Sequence, residues 1–297
     1  AGTELPRLVC ADGHAAQYDL VAVAAGINSN LGYNIEGLPT GFRSPAAAKT
    51  FICEFHLGAD LIEQHLGSSM HVFLLDLPKL KFAALIPKGD FVTLCMLGKQ
   101  IDVDLVEAFL ASPQVTACFP GGSLPQTVCH CFPRINVRAA LQPFADRFVM
   151  IGDSGVSRLY KDGIGSAYRT AKAAANTAVL EGIAAEDFRR DYWPICRSID
   201  IDNQLGKLVF AISHLIQKSR IYRRCILYMT IKEQEKTVGI RHMSSVLWDI
   251  FTGSAPYREV LWRSLHPAFI AGLFWSLIAG NWLPGKNGLA ARKPHGQ

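Results

Sequence analysis

A chain of 297 residues, 49% apolar and 19% charged, can bury a sizeable core, and its length is that of roughly two domains. Its 25 glycines and 15 prolines are an ordinary share, which excludes collagen-like and low-complexity classes. The 30 Lys and Arg against 25 Asp and Glu leave a formal charge of +5, too diffuse to argue for nucleic acid, and eight scattered cysteines fit a reduced intracellular protein better than a disulfide scaffold. The first residues, Ala-Gly-Thr-Glu, show no initiator Met, signal peptide or transit peptide, and a strand-like run follows at once. The expectation is a chain that starts inside a domain.

Residues 4–10 and 18–25 read as two short strands around an Asp12-Gly13 turn, the second apolar throughout, as in a strand buried on both faces. Residues 32–47 are rich in Gly, Pro, Ser and Asn and read as a linker. From 48 to 98, short apolar runs alternate with turns such as Lys88-Gly89-Asp90, the pattern of an antiparallel sheet with hairpin connections. Residues 102–111 predict a short amphipathic helix with an acidic cap, and 129–132 (CHCF) another strand. Residues 148–151 (FVMI) begin a fresh buried strand, a helix runs from about 164 to 182, and everything after 186 reads as helical.

The most specific segment is FVMIGDSGVSRLYKDGIGSAYRTAKAAANTAV, 148–179. An apolar strand runs into Gly152-Asp153, and after a loop Asp162-Gly163-Ile164-Gly165 opens a helix of small residues. Gly152 allows backbone to approach a ligand closely, and a carboxylate at the carboxyl end of a strand can accept hydrogen bonds from ligand hydroxyls. Gly163 and Gly165 are expected to leave a helix N-terminus unobstructed, where N–H groups and the helix dipole favour negative charge.

This segment resembles the C-terminal flavin-binding motif of FAD-dependent oxidoreductases of the p-hydroxybenzoate hydroxylase-like class, including the geranylgeranyl reductases. The resemblance implies that Gly152 belongs to the cofactor-binding set, that Asp153 binds the ribityl chain, that Gly163, Ile164 and Gly165 offer backbone contacts near the isoalloxazine, and that the helix end stabilises a reduced, anionic flavin. A second match lies in YDLVAVAAGINSNLG, 18–32, similar to the family's strand ending in Gly-Ala-Asp-Gly-x-x-Ser. Gly26, Asn28 and Ser29 fit it, and Ala25 stands where the pattern has an acid. Residues 80–97 resemble the family's strand–Pro–x–Gly-Asp–strand unit, without the aromatic pattern of geranylgeranyl reductases, and 248–267 resemble their C-terminal segments. The family's first motif, Gly-x-Gly-x-x-Gly after a strand, does not occur, and Gly121-Gly122 lacks the strand–helix context for it. The resemblance therefore implies an N-terminally truncated flavoenzyme.

The expected fold class is α/β (α+β). It is an incomplete FAD/NAD(P)-binding Rossmann-like domain with an inserted antiparallel substrate-binding sheet and a helical C-terminal region. The expected organisation is 1–40 as the end of the first FAD-domain segment, 41–145 as the substrate sheet, 146–185 as the FAD-domain return and 186–297 as the helical region. The resemblance implies FAD as cofactor, NAD(P)H or another electron donor, and reduction or dehydrogenation of a small hydrophobic substrate. Hydroxylation by a monooxygenase is the alternative within the class. A non-catalytic binding or membrane-attached remnant is the alternative outside it.

Other residues have bland readings beside sharp ones. Cys129, His130 and Cys131 alternate across a strand and have no second pair at zinc spacing, so buried thiols are expected rather than a metal site. Cys53 and Cys95 sit in apolar strands and read as core. His56, His65 and His71 fall near the substrate sheet, with surface or packed roles expected and no catalytic acid or base assignable. Arg158 and Tyr160 lie beside the flavin motif, either touching substrate or in an exposed loop. The basic stretch 217–224 reads as a solvated helix face or a lipid-headgroup contact. The uncharged run 268–283, with Trp275 and Trp282, is too short to span a bilayer, which needs about 20 residues. It reads as a buried helix or as a peripheral contact at the inner face of the membrane of an otherwise cytoplasmic protein.

Overall fold

The computed structural model describes residues 5–38, 40–235 and 238–282. The chain divides into two units, one comprising Ala1–Ala47, Arg134–Lys207 and Asp249–Arg258, the other Ala48–Pro133, Leu208–Trp248 and Glu259–Gln297.

In the first unit, Val21–Val23 runs parallel to Phe148–Met150, and Phe144–Ala145 pairs antiparallel on the far side of Phe148–Met150. The central strand is buried along its whole length, the condition that calls for an unbroken apolar run. Phe148 and Met150 join Val23, Ile35, Phe42 and Ala140 in one core cluster. Val149, pointing the other way, packs with Phe144, Val156, Ala174, Phe188, Tyr192, Cys196 and Ile199. Val21–Val23 departs from expectation: it lies at the sheet edge, and Ala22 is exposed. The expected hairpin also regroups. Asp12-Gly13 does make the turn, with Asp12 Oδ1 accepting from the His14 N–H at 2.9 Å, but it joins Arg7–Val9 to Ala15–Gln17. The stretch read as a linker contains a helix, Leu31–Glu36, and a strand, Ala46–Lys49. Local Gly and Asn content understated it because Ile35 and Phe42 are buried in the core.

The second unit holds a five-stranded antiparallel sheet in the order His71–Phe73, Leu80–Lys88, Phe91–Gly98, Phe51–His56, Thr127–Cys131. A two-residue turn with Gly89 at φ +61° joins Lys88 to Phe91, as the Lys-Gly-Asp signal predicts. One face carries Phe51, Cys53, Phe55, Leu85, Val92, Leu94 and Met96, all buried, in one core with Leu105, Val106 and Phe109 of the helix Val103–Leu110. Asp102 caps that helix by accepting from the Leu105 N–H at 3.0 Å. The long helices Arg220–Gln234 and Pro267–Trp282 pack on each other, with a Cβ at Gly272 or Gly280 coming within 3.0 Å of Met229 and 3.2 Å of Tyr228 respectively. Among the described residues no helix is long and apolar enough to cross a membrane. Residue 283, the last of the apolar run, lies outside the described residues.

Candidate functional site

The carboxyl ends of the two parallel strands bring the sequence motifs together. Beyond Val23 the chain turns at Gly26, whose φ of +73° favours glycine. Its N–H donates to Ser154 Oγ at 2.7 Å, tying the first motif to the second. Beyond Met150, Gly152 adopts φ +59° and donates its N–H to Thr170 Oγ1 at 2.9 Å. A Cβ on Gly152 would stand 3.2 Å from Ala167 Cβ, so strand end and helix Gly163–Asn176 meet with room for glycine only.

Asp153 is the chemical centre of this arrangement. Its Oδ1 is buried and has no hydrogen-bond partner. A Cβ on Gly163 would lie 3.8 and 3.9 Å from the two carboxylate oxygens, so the carboxylate faces the start of the helix across the space that Gly163 leaves. Asn136, buried in the strand Arg134–Arg138 of a separate two-stranded sheet, fixes the Asp153 backbone by donating from Nδ2 to its carbonyl at 3.0 Å and to Ser157 Oγ at 3.2 Å. A buried carboxylate oxygen without a donor is costly, and a hydroxyl or N–H placed against it would remove that cost.

The helix start differs from expectation. Asp162 sits in the left-handed region, φ +52°, and accepts from the Gly165 N–H at 3.1 Å. The N-terminus is therefore capped rather than unobstructed. A Cβ on Gly165 would collide with the Asp162 carboxylate, so this glycine serves the cap. Arg169 pairs with Asp162 at 3.1 Å and Arg158 at 3.7 Å, so two guanidinium groups face one carboxylate. With Asp202 3.7 Å from Arg158 and the Asp153 carboxylate facing the helix start, the two guanidinium groups leave no excess of positive charge there, and it is the helix dipole that favours an anion. Ile164 is almost wholly exposed.

Two first-motif residues do other work. Asn28 pairs with the backbone of Arg134, accepting from its N–H at 2.8 Å and donating to its carbonyl at 3.3 Å. Ser29 Oγ accepts from the Leu31 N–H at 3.1 Å, at the start of the short helix.

Arg158 does not lie in an exposed loop. It is buried, donating to the carbonyls of Gly253, at 2.7 Å, and Ala255, with Asp202 at 3.7 Å and the Tyr257 ring at 5.2 Å. Tyr160 beside it has φ +64°, so the loop holds two non-glycine residues, Tyr160 and Asp162, in left-handed conformations. Sequence reasoning missed Ser154, Thr170, Asn136 and Asn203 as the frame of this loop. Small polar residues inside an apolar pattern are the one signal that marks them.

In the second unit Cys129 and Cys131 are exposed on the edge strand, contrary to the expectation of buried thiols, because no further strand covers it. Cys129 Sγ lies 3.9 Å from Glu54 Oε2. Cys53 is in the core, where burial raises its thiol pKa above the ordinary value, and Cys95 is half-buried. His71 bonds the Leu66 carbonyl at 2.8 Å, His56 packs edge-on to Phe91, and His65 ends a helix. Among the described residues no cluster of three His, Cys, Asp or Glu is placed to hold a metal. None of the eight cysteines is in a disulfide.

No protein-family model matches the chain, and no curated protein sequence matches it. Solved structures do. The halogenase PltM, in complex with ethyl mercury and mercury, is 13% identical over 94% of this chain and 62% of its own, with a TM-score of 0.50. A variant of that halogenase in complex with FAD is 12% identical over 92% and 61%, TM-score 0.49. The p-nitrophenol 4-monooxygenase PnpA from Pseudomonas putida DLL-E4 is 13% identical over 91% and 62%, TM-score 0.43. The chain thus spans about three-fifths of the length of these neighbours. The fold is mixed α/β and is similar to that of the halogenase PltM.

Proposed function

We propose that the chain is the flavin-facing part of an FAD-dependent oxidoreductase acting on a small hydrophobic substrate. The observation that carries this reading is the buried Asp153 oxygen without a donor, facing Gly163 at the carboxyl end of a parallel strand pair. That is the place where open α/β sheets bind ligands.

The residues present suit FAD. Asp153 would accept from a hydroxyl of the ribityl chain. Gly163 keeps a Cβ away from the Asp153 carboxylate, Gly152 lets the strand end pack against Ala167, and Gly26 holds the first motif to Ser154. The helix dipole, with Arg158 and Arg169 offsetting Asp162, would favour an anionic ring edge at the helix start. FAD supplies the redox chemistry when bound, and the chain supplies position and field. Nothing in the described first unit offers the glycine-rich pyrophosphate loop, so affinity from this chain falls on the ribityl and ring end.

A hydrophobic substrate is supported by the sheet face opposite the apolar core of the second unit. There the half-buried Ile52 and Ile86 share a face with Thr93, Cys95 and the ion pair Glu54–Lys88, and Ala84 beneath them is wholly buried. Reduction or dehydrogenation of an isoprenoid-like compound, with NAD(P)H or another donor, is the chemistry we favour. Hydroxylation is the second reading, and the resemblance to the p-hydroxybenzoate hydroxylase-like class favours it.

The test is the visible absorption spectrum of protein purified from its full reading frame and reconstituted with FAD. Retained flavin that is lost in Asp153→Ala, with circular dichroism unchanged, is the expected result. A folded, colourless protein after incubation with excess FAD would overturn the reading. Product analysis on lipid extracts and on aromatic compounds then separates reductase from hydroxylase.

A further inference from the structure

The helix Pro267–Trp282 contains no charged residue. Its packed face carries Phe269, Ser276 and Ala279, all buried, with Gly272 and Gly280 against the helix Arg220–Gln234. Its other face is apolar and open: Ile270 is 37% exposed, Phe274 64%, Trp275 65% and Ile278 59%. These positions recur at helical spacing and form one strip, with Pro267, Ala268 and Ala271 also exposed along it. A strip of this composition facing water marks an interaction site.

The charge around it selects the partner. Residues 208–232 and 260–282 contain six Lys or Arg and no Asp or Glu. Lys218, Arg220 and Arg224 are exposed at the start of Arg220–Gln234. A Cβ on Gly280 would lie 3.4 Å from the Arg224 carbonyl, so this basic end flanks the C-terminal half of the strip. Ile221 and Tyr222, both about half exposed, extend the apolar surface there. The 16-residue helix is about 24 Å long, short of the roughly 30 Å hydrocarbon core of a bilayer.

We propose that this face of the second unit docks on an anionic lipid surface. The helix Pro267–Trp282 lies in the interface plane, with Phe274, Trp275 and Ile278 in the acyl boundary and Lys218, Arg220 and Arg224 on the headgroups. Two other occupants fit less well. A second copy would bring an equally basic face against this one. The chain's own residues 283–297 carry Lys286, Arg292 and Lys293 and no acid to meet Arg220 and Arg224.

The test is co-sedimentation of the full chain with vesicles of phosphatidylglycerol and phosphatidylcholine, against phosphatidylcholine alone, at rising salt. Binding is expected only to the anionic vesicles, weakening with salt. Phe274→Ser with Trp275→Ser should lower binding at least about tenfold, and so should Arg220→Gln with Arg224→Gln. Trp275→Phe, which keeps the apolar surface, should bind as the parent does and serves as the folding control alongside circular dichroism. Three results would overturn the proposal. They are sedimentation with neither vesicle, binding unchanged in both double variants, and lipid-independent self-association abolished by the Phe274 and Trp275 substitutions, which assigns the strip to a second copy.

Discussion

In the unit built on the five-stranded sheet, order comes from apolar area. Buried side chains from four strands and the helix Val103–Leu110 form one continuous core, and the sheet ladders satisfy the backbone. In the other unit the three-stranded sheet has strands of two or three residues, and the loop that carries the candidate site has little regular structure of its own. Buried side chains answer that loop's backbone groups instead. Asn203 Oδ1 accepts from the Leu159 N–H at 2.8 Å and its Nδ2 donates to the Ser157 carbonyl at 2.9 Å. Tyr257 donates to the Leu159 carbonyl at 2.5 Å, and Tyr192 to the Met150 carbonyl. An irregular buried loop is possible only where side chains replace a ladder, and that replacement makes its shape specific.

The comparison implies opposite weak points. In the sheet unit the largest loss should come from removing volume. Phe109 is wholly buried and meets Phe73 edge-on at 5.3 Å, so Phe109→Ala should cost about 3–5 kcal/mol in chemical denaturation. In the loop unit the largest loss should come from removing polarity at constant volume. Asn203→Leu leaves a buried N–H and a buried carbonyl without their side-chain partner, for about 2–4 kcal/mol. An Asn203→Leu protein as stable as the parent would break the comparison.

The loop unit should also weaken in alkali. Burial pushes the Cys196 thiol from its ordinary 9.0 up to about 12, and burial raises the Tyr192 and Tyr257 phenols as well. The folded state holds the thiol proton that the unfolded state releases above 9.0, so stability is fully present below that pH and falls as pH rises toward 12. One unit above 9.0 the loss from Cys196 alone is about 1.4 kcal/mol. Cys196→Ala should flatten the thermal-melt profile between those values, and an unchanged slope would show that Cys196 contributes nothing to it.

The same contrast explains what could be read from the sequence. The antiparallel sheet was legible because its alternation of buried and exposed residues is local, as in Phe51–His56, and because Lys88-Gly89-Asp90 marks its hairpin. The strand–Gly-Asp–helix segment was legible because the strand end does demand glycine at Gly152, with φ +59° and Ala167 3.2 Å from where a Cβ would stand. The burial of Arg158 was not legible. Its partners Asp202, Gly253 and Ala255 lie 44 to 97 positions away, and only the folded chain brings them together. The exposure of Cys129 and Cys131 was equally hidden, since strand composition does not reveal which strand ends a sheet.

The smallest expected effect separates two helix caps of the same residue type. Asp102 and Asp162 each accept from the N–H three positions on, at 3.0 and 3.1 Å. Asp102 stands in extended backbone beside the exposed Lys79, and asparagine caps as well as aspartate, so Asp102→Asn should leave the melting temperature unchanged. Asp162 stands in a left-handed conformation that asparagine also tolerates, and the cap itself should survive there too. The difference is charge. Asp162→Asn strips a carboxylate from Arg169 and from the buried Arg158, whose remaining acidic neighbour, Asp202, is 3.7 Å away. The expected loss is about 1 kcal/mol, because Arg158 keeps its two backbone carbonyls. Equal melting temperatures for the two variants would mean that the Asp162 carboxylate is there for its ligand-facing field rather than for the fold, and flavin retention in Asp162→Asn would then be the quantity that moves.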